Sequence, residues 1–331
     1  MRNVPVELQL TSLGIVSAIL SWMAVGGVRR LAATQGILDV PNARSSHAVP
    51  TPRGGGLGVI LTLLLMSSGL FVVREVSAVW PFLVGIAAVA TIGWIDDRAS
   101  AGVRTRLFVH AVSSLSILSL LPSDGFSPSL MVGIRIWWIF WAISAINVVN
   151  FIDGIDGIIA SQVLIYGAYV AVVADPEGSV QFLGVVLAGT AFGFLFWNWA
   201  PAKIFLGDVG SGALGLAVVG TGAILIREGR VGFVAAFAPL APIFFDAART
   251  LWSRWRRGER LSDAHRSHLY QRLANQRYGH APVSLGYAAV SLAGAVVASV
   301  LPQADLVLLP VLLVGCGCIT LAAERYAIPR S

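Results

Sequence analysis

Leu8-Gln-Leu-Thr-Ser-Leu-Gly-Ile-Val-Ser-Ala-Ile-Leu-Ser-Trp-Met-Ala-Val-Gly-Gly-Val28 runs for 21 residues without a charge. Coiled as a helix, a run of this length covers the ~30 Å hydrocarbon core of a bilayer. It is too long for a typical signal-peptide core, so it is expected to stay as a first membrane helix. Outward from it the pattern repeats, with apolar runs at 8–28, 54–73, 77–95, 107–121, 134–152, 157–174, 180–198, 209–226, 231–248, 284–301 and 305–323. The expected fold is all-α: a polytopic integral membrane protein of about 11 transmembrane helices.

Composition agrees. Only 12% of the 331 residues are charged, against roughly a quarter in a soluble domain. Hydrophobic residues make up 56% and mean hydropathy is +0.78, which excludes a soluble globular enzyme. The net charge of +6 does not indicate nucleic acid, because 22 of the 23 basic residues are Arg, Lys203 is the only Lys, and they gather in particular loops. Cys316 and Cys318 lie in an apolar run at diverging helical positions, which assigns them to packing and not to a disulfide or a metal.

Of the 23 basic residues, 18 fall on one side of this topology: Arg29 to Arg53, Arg98 to Arg106, Lys203, Arg249 to Arg277, Arg325 and Arg330. By the positive-inside rule that side is cytoplasmic, which places the N-terminus outside and the C-terminus inside. The whole chain, 1–331, is then one transmembrane unit with cytoplasmic loops at about 29–53, 96–106, 150–156, 199–208 and 249–283.

The acidic residues follow the same side. Asp96, Asp97, Asp153, Asp156, Asp208 and Asp246 all border the expected cytoplasmic face, and carboxylates at a membrane edge are costly enough to imply function. Helix capping could explain Asp156 and Asp208. It does not explain Asp96-Asp97, which close a helix where the dipole disfavours negative charge. Converging acids need a cation, and all-oxygen ligands suit Mg²⁺ or Mn²⁺. Gly54 to Gly58 and Gly207 to Gly212 open two helices and offer backbone N–H groups to an anion. The Arg-rich loop from Trp252 to Pro282 reads in part as a segment lying on anionic lipid. Within it, a short helix begun at Ser262 or Asp263 would put His265 and His268 on one face, with Arg266 between them, poised to hold a phosphate.

These residues form motifs. Asn147-Val-Val-Asn150-Phe-Ile-Asp153-Gly-Ile-Asp156-Gly157, Phe205-Leu-Gly-Asp208, Gly93-Trp-Ile-Asp96-Asp97 and His265-Arg-Ser-His268-Leu-Tyr-Gln-Arg272, in this order across nearly the whole chain, resemble the polyprenyl-phosphate N-acetylhexosamine-1-phosphate transferases of glycosyltransferase family 4. The resemblance implies a Mg²⁺-dependent site, with Mn²⁺ as a substitute, that moves a sugar 1-phosphate from a UDP-N-acetylhexosamine to undecaprenyl phosphate and releases UMP. It implies that Asp96 and Asp97 stand near the lipid phosphate, that Asp208 binds the metal with Asn150 as second ligand, and that Phe205 stacks on uracil. It further implies that Asp153 and Asp156, with Asn147, line the nucleoside side, that Arg53 and His47 border the nucleotide, and that His265, Arg266 and His268 engage the diphosphate or sugar.

A run of three histidines marks the muramoyl-pentapeptide branch, and here the stretch reads His-Arg-Ser-His. The chain resembles more the branch that starts O-antigen or other surface polysaccharides. The donor is then UDP-N-acetylglucosamine or a 6-deoxy relative, N-acetylfucosamine or N-acetylquinovosamine. The location this implies is the bacterial inner membrane, with the site facing the cytoplasm, no nucleic-acid partner, and exposed helices that allow a homodimer. A secondary transporter is the rival from another class, but its acids would sit near the bilayer midplane.

Overall fold

The computed structural model describes residues 5–41, 49–73, 79–121, 127–260 and 265–326. Helix α1, Val6–Gln35, leads to a two-stranded antiparallel pair, β1 Leu38–Asp39 and β2 Thr51–Pro52. Then follow α2 Gly56–Val73, α3 Trp80–Ala99, α4 Val103–Ser114, α5 Pro128–Ile152, α6 Ile158–Val173, α7 Ser179–Asn198 and α8 Asp208–Arg227. The chain ends with α9 Phe233–Phe237, α10 Ala241–Arg256, α11 Leu269–Leu273, α12 His280–Val300 and α13 Asp305–Tyr326. It is an all-α polytopic membrane protein.

Each of the eleven apolar runs lies on helix, though not equally. Among the described residues eight stretches are long and apolar enough to cross a bilayer, and α2 and α6 supply two shorter apolar helices. The fourth run is not among them: α4 stops at Ser114 and a 3-10 turn continues to Leu120. The ninth is broken where Pro239 and Pro242 withhold backbone donors, so that α9, a 3-10 turn and α10 share one span.

Helix α8 is the axis of the bundle. Of its spanning window 94% is buried, against 17% for α1 and for α13, so the latter two face lipid while α8 meets protein on every side. Its glycines make that possible. A Cβ on Gly56 would overlap the backbone of Gly210, so α2 and α8 touch backbone to backbone. Around α8 stand α2, α3 and α5, while α7 packs between α1 and α6 and also touches α2 and α8. The consequence for function is that the ends of α3 and α5 and the starts of α2 and α8 meet at one end of the molecule.

Candidate active site

Asp208 is the centre of that meeting point. Its Oδ1 accepts from Arg53 Nη2 at 3.1 Å and from Asn150 Nδ2 at 3.1 Å, and its Oδ2 accepts from Arg106 Nη1 at 3.1 Å. Arg106 Nη1 also reaches Asp96 Oδ2 at 2.5 Å, and Asn150 Nδ2 donates to Ser211 Oγ at 2.9 Å. Three acids, Asp96, Asp97 and Asp208, thus share two guanidiniums, Arg53 and Arg106, and one negative charge remains over. Burial works against the Arg53 charge, but Asp97 and Asp208 outweigh it and hold the guanidinium above its ordinary range. Arg106 was not singled out by sequence. The signal available was its place as the last of three arginines, Arg98, Arg104 and Arg106, that follow the aspartate pair; the structure puts it in the first turn of α4.

Asp97 departs from the expectation drawn from its own helix. It does close α3, but its carboxylate is turned onto the start of α8, where Oδ1 accepts from Asp208 N–H at 3.0 Å and Oδ2 from Val209 N–H at 3.2 Å. With Arg53 Nε at 2.8 Å and a side chain only 2% exposed, it is an anion bound at a helix N-terminus. The dipole it meets is that of α8, and it is favourable. Gly207, at φ +76°, makes the turn, and a Cβ there would run into this carboxylate.

The same geometry corrects the expectation that the glycine-rich helix starts offer free N–H groups to phosphate. Gly55 and Gly56 N–H donate to the carbonyls of Phe205 and Leu206, both at 2.8 Å, and Gly210 and Ser211 N–H return to Gly207 O. Those donors are satisfied by protein. The glycines serve close approach, and positive charge for a phosphate comes from Arg53 and Arg106.

Around this centre, Phe205 is half-buried and strapped beside Arg53, with its N–H on Pro52 O at 2.9 Å. Asp153, just past α5, is pushed up to about 8 by burial and then by the charge of Asp208. Asp156 is a latch: its Oδ2 accepts from Ala202 N–H at 3.0 Å and its Oδ1 faces His280 Nδ1 at 3.1 Å. Asn147 bonds back to Ile143 O on its own helix at 2.7 Å and does not join the cluster. His47 lies outside the described residues, as do Ser262 and Asp263.

The histidine loop also differs from expectation. Residues 265–267 are not helical, and α11 begins only at Leu269. The two imidazoles are nonetheless 5.0 Å apart, brought together by loop packing. His265 is pressed down to about 4 by burial, His268 and Arg254, so it is a neutral ring at neutral pH, with Ser267 Oγ 2.9 Å from its Nδ1. His268 is 3% exposed and stands 3.4 Å from Asp246 Oδ1. Asp246 also accepts from Leu269 and Tyr270 N–H, from Thr250 Oγ1 and, at 2.6 Å, from Tyr287 Oη. It is the anchor of the loop, which its position in an apolar run only hinted at. Three arginines of the loop expected in part on lipid are instead paired within the protein: Arg254 and Arg257 with Glu259, and Arg272 with Glu324, which Arg249 of α10 also meets.

The oxygen donors at Asp208 suit a divalent cation. Among the described residues no three acidic, histidine or cysteine side chains enclose a metal. Asp208 is 19% exposed, and the Asn150 amide beside it carries an oxygen that rotation would present. Two hard oxygen donors at an open edge fit a cation that keeps most of its ligands as water or substrate phosphate, as Mg²⁺ does.

Comparison with known proteins adds an independent finding. Residues 79–226 match the family described as glycosyl transferase family 4. A probable undecaprenyl-phosphate N-acetylglucosaminyl 1-phosphate transferase of Bacillus subtilis is 29% identical over 78% of this chain and 75% of its own. A decaprenyl-phosphate N-acetylglucosaminephosphotransferase of Mycobacterium tuberculosis is 28% identical over 84% of this chain and 78% of its own. A phospho-N-acetylmuramoyl-pentapeptide-transferase of Anoxybacillus flavithermus is 31% identical over 64% of this chain and 72% of its own.

Proposed function

The chain belongs to glycosyl transferase family 4, the polyprenyl-phosphate N-acetylhexosamine-1-phosphate transferases, and from that premise we propose that it transfers an N-acetylhexosamine 1-phosphate from a UDP-sugar to undecaprenyl phosphate. UMP leaves, and the lipid-linked diphosphate sugar starts a surface polysaccharide of O-antigen type. The donor is UDP-N-acetylglucosamine or its N-acetylfucosamine or N-acetylquinovosamine relative. The site faces the cytoplasm of a bacterial inner membrane, consistent with the arginine distribution.

The observation that supports this most directly is the sharing of Arg53 and Arg106 among Asp96, Asp97 and Asp208 at one end of the bundle. Phosphoryl transfer needs positioning and charge neutralisation more than covalent work by the protein. Asp208 and Asn150 would hold Mg²⁺, or Mn²⁺ in its place, whose charge neutralises the donor diphosphate. Arg53 and Arg106 bind the phosphate oxygens, exchanging some of their contacts with the acids. Phe205 packs against the uracil, and Asp153 and Asp156 border the nucleoside. His265, neutral, donates or accepts a hydrogen bond at the sugar or diphosphate, and Arg266 brings the loop's charge.

The acceptor phosphate has a second pKa of about 6 and is already largely a dianion at neutral pH. Its oxygen attacks the phosphorus that carries the sugar, the bond from that phosphorus to the UMP oxygen breaks, and UMP takes the electron pair. Of the two paired acids, Asp96 is 13% exposed and can meet the acceptor, whereas Asp97 is spent on α8. Asp96 therefore orients the lipid phosphate and tunes its proton.

The test is to incubate purified protein with undecaprenyl phosphate, Mg²⁺ and a panel of UDP-N-acetylhexosamines, including UDP-N-acetylmuramoyl-pentapeptide, and to identify products by mass spectrometry. UMP with a lipid diphosphate sugar supports the reading and names the donor. Product from the muramoyl-pentapeptide donor alone would move the chain to that branch. UDP in place of UMP would overturn the reading.

A further inference from the structure

The stretch that closes α5 is fixed at both ends and braced between them. At its start Asn150 donates to Asp208 and Ser211. At its end Asp156 is held by Ala202 N–H, by His280 and, through its carbonyl, by the Ser284 hydroxyl at 2.7 Å. Helix α5 stops at Ile152, so its last carbonyls have no partner within the helix. Asp153 N–H returns to Asn150 O at 3.3 Å, and Gly154 N–H to Ile152 O at 2.8 Å. The carbonyl between them, Phe151 O, is met from another element: Tyr270 Oη of α11 donates to it at 2.9 Å.

Tyr270 is rooted firmly enough to act as that brace. Its ring is fully buried and stacks on His268, with centroids 5.7 Å apart. Its own N–H and that of Leu269 are bound by Asp246, which fixes the base of the side chain from α10. The facing surface is shaped to receive the hydroxyl. A Cβ on Gly154 would run into Tyr270 Oη and lie 3.1 and 3.2 Å from ring atoms Cζ and Cε2. The φ of Gly154 is outside the left-handed region, so glycine serves there to leave room for Tyr270. The hydroxyl thus ties α11, whose loop carries His265 and Arg266, to the turn that carries Asp153.

We propose that Tyr270 is a positioning residue for the UDP-sugar: its hydroxyl, rooted on Asp246, holds the turn 151–154 so that Asp153 stands at a fixed distance from the histidine loop. This rests on the transferase reading, in which Asp153 borders the nucleoside while His265 and Arg266 meet the diphosphate or sugar. A donor that touches both must find them in register, and a brace between them removes the cost of ordering them at binding. The acceptor does not share this dependence, because Asp96, which meets the lipid phosphate, lies on α3. A bond that only stabilised the fold would support both substrates alike.

The test uses the full chain in mild detergent with undecaprenyl phosphate, Mg²⁺ and the UDP-sugar that the wild type accepts. Tyr270→Phe keeps the ring and its stack and removes only the oxygen. It is expected to raise the Michaelis constant for the UDP-sugar about fivefold, the worth of one hydrogen bond, and to leave that for undecaprenyl phosphate unchanged. An unchanged donor constant overturns the proposal whether or not turnover falls, and so does an equal rise for both substrates. Gly154→Ala attacks the same contact from the other side and should raise the donor constant as well. Adding Tyr270→Phe to it should lower the constant again, because the atom in the way is gone. Effects that simply multiply would show two independent residues and overturn the proposal. Without substrate, hydrogen exchange in Tyr270→Phe should rise at 151–156 and stay at the wild-type rate across 265–273, which Asp246 holds. A rise in both segments, or none at 151–156, overturns the proposal. Exchange needs no turnover, so it tests the brace even where no UDP-sugar yields UMP, the outcome that would overturn the transferase reading itself.

Discussion

Asp96 and Asp97 are neighbours in sequence with different chemistry, and the difference is measurable. Asp97 holds two backbone N–H groups of α8 and Arg53, so Asp97→Asn turns an amide N–H₂ onto donors and leaves Arg53 short of its partner. Breaking a buried pair costs about 3–5 kcal/mol, and a clear fall in thermal midpoint is expected together with loss of transfer. Asp96→Asn breaks only a partly exposed pair with Arg106, worth about 1 kcal/mol or less, so the midpoint should move little while turnover falls at least about tenfold. Equal melting of the two variants would refute this division.

Asp153 gives the pH signature. Its carboxyl titrates near 8 in the fold against an ordinary 3.8, so the folded state favours the proton. The stability this contributes is complete below pH 3.8 and is lost as pH rises through about 8. In the absence of divalent cation, the wild type should melt at progressively lower temperature between about pH 5 and 8 and level off above that, and Asp153→Asn should flatten that decline. The motif containing Asp153 was visible in sequence; its protonation was not, since it depends on burial and on a charge from α8.

At the scale of elements, α11 and its histidine loop are held from two sides. Asp246 on α10 receives the first N–H groups of α11 and the Tyr287 hydroxyl of α12, and Glu324 on α13 bridges Arg249 of α10 and Arg272 of α11. The two attachments differ in exposure. Asp246→Asn should cost several kcal/mol, about 3–5, because the group is buried and has five partners. Glu324→Gln breaks half-exposed pairs worth about 1 kcal/mol or less each, so stability should barely move. Hydrogen exchange across residues 265–273 should nevertheless rise in Glu324→Gln, with the Michaelis constant for the UDP-sugar increasing a few-fold. Unchanged exchange would show that Asp246 suffices to hold the loop. A short helix carrying both histidines was a reasonable reading of Ser262-Asp263, yet the ring pairing arises from the anchor at Asp246, which lies in another helix.

For the whole molecule, the arginine asymmetry predicts that the Asp208 end faces the cytoplasm. In a background of Cys316→Ala and Cys318→Ala, Arg104→Cys and Glu177→Cys lie at opposite ends of the bundle. An impermeant thiol reagent added to spheroplasts should label position 177 and spare 104 until the membrane is opened. The reverse pattern would invert the topology and place the site outside.

Bilayer insertion rests on local quantities, apolar length and loop charge, and these are written in consecutive residues. The all-helical membrane fold and the gathering of aspartates at one end were therefore legible from Leu8–Val28 outward. The motifs also singled out Asp208, Asn150 and Phe205, which the fold gathers around Asp208 and Arg53. What folding alone settled is who partners whom: Asp97 with an α8 N-terminus 111 residues away, Arg106 between Asp96 and Asp208, Asp246 beneath His268. These choices depend on helix packing, above all on Gly56 meeting Gly210, and contact between distant segments leaves no periodic trace in a single sequence.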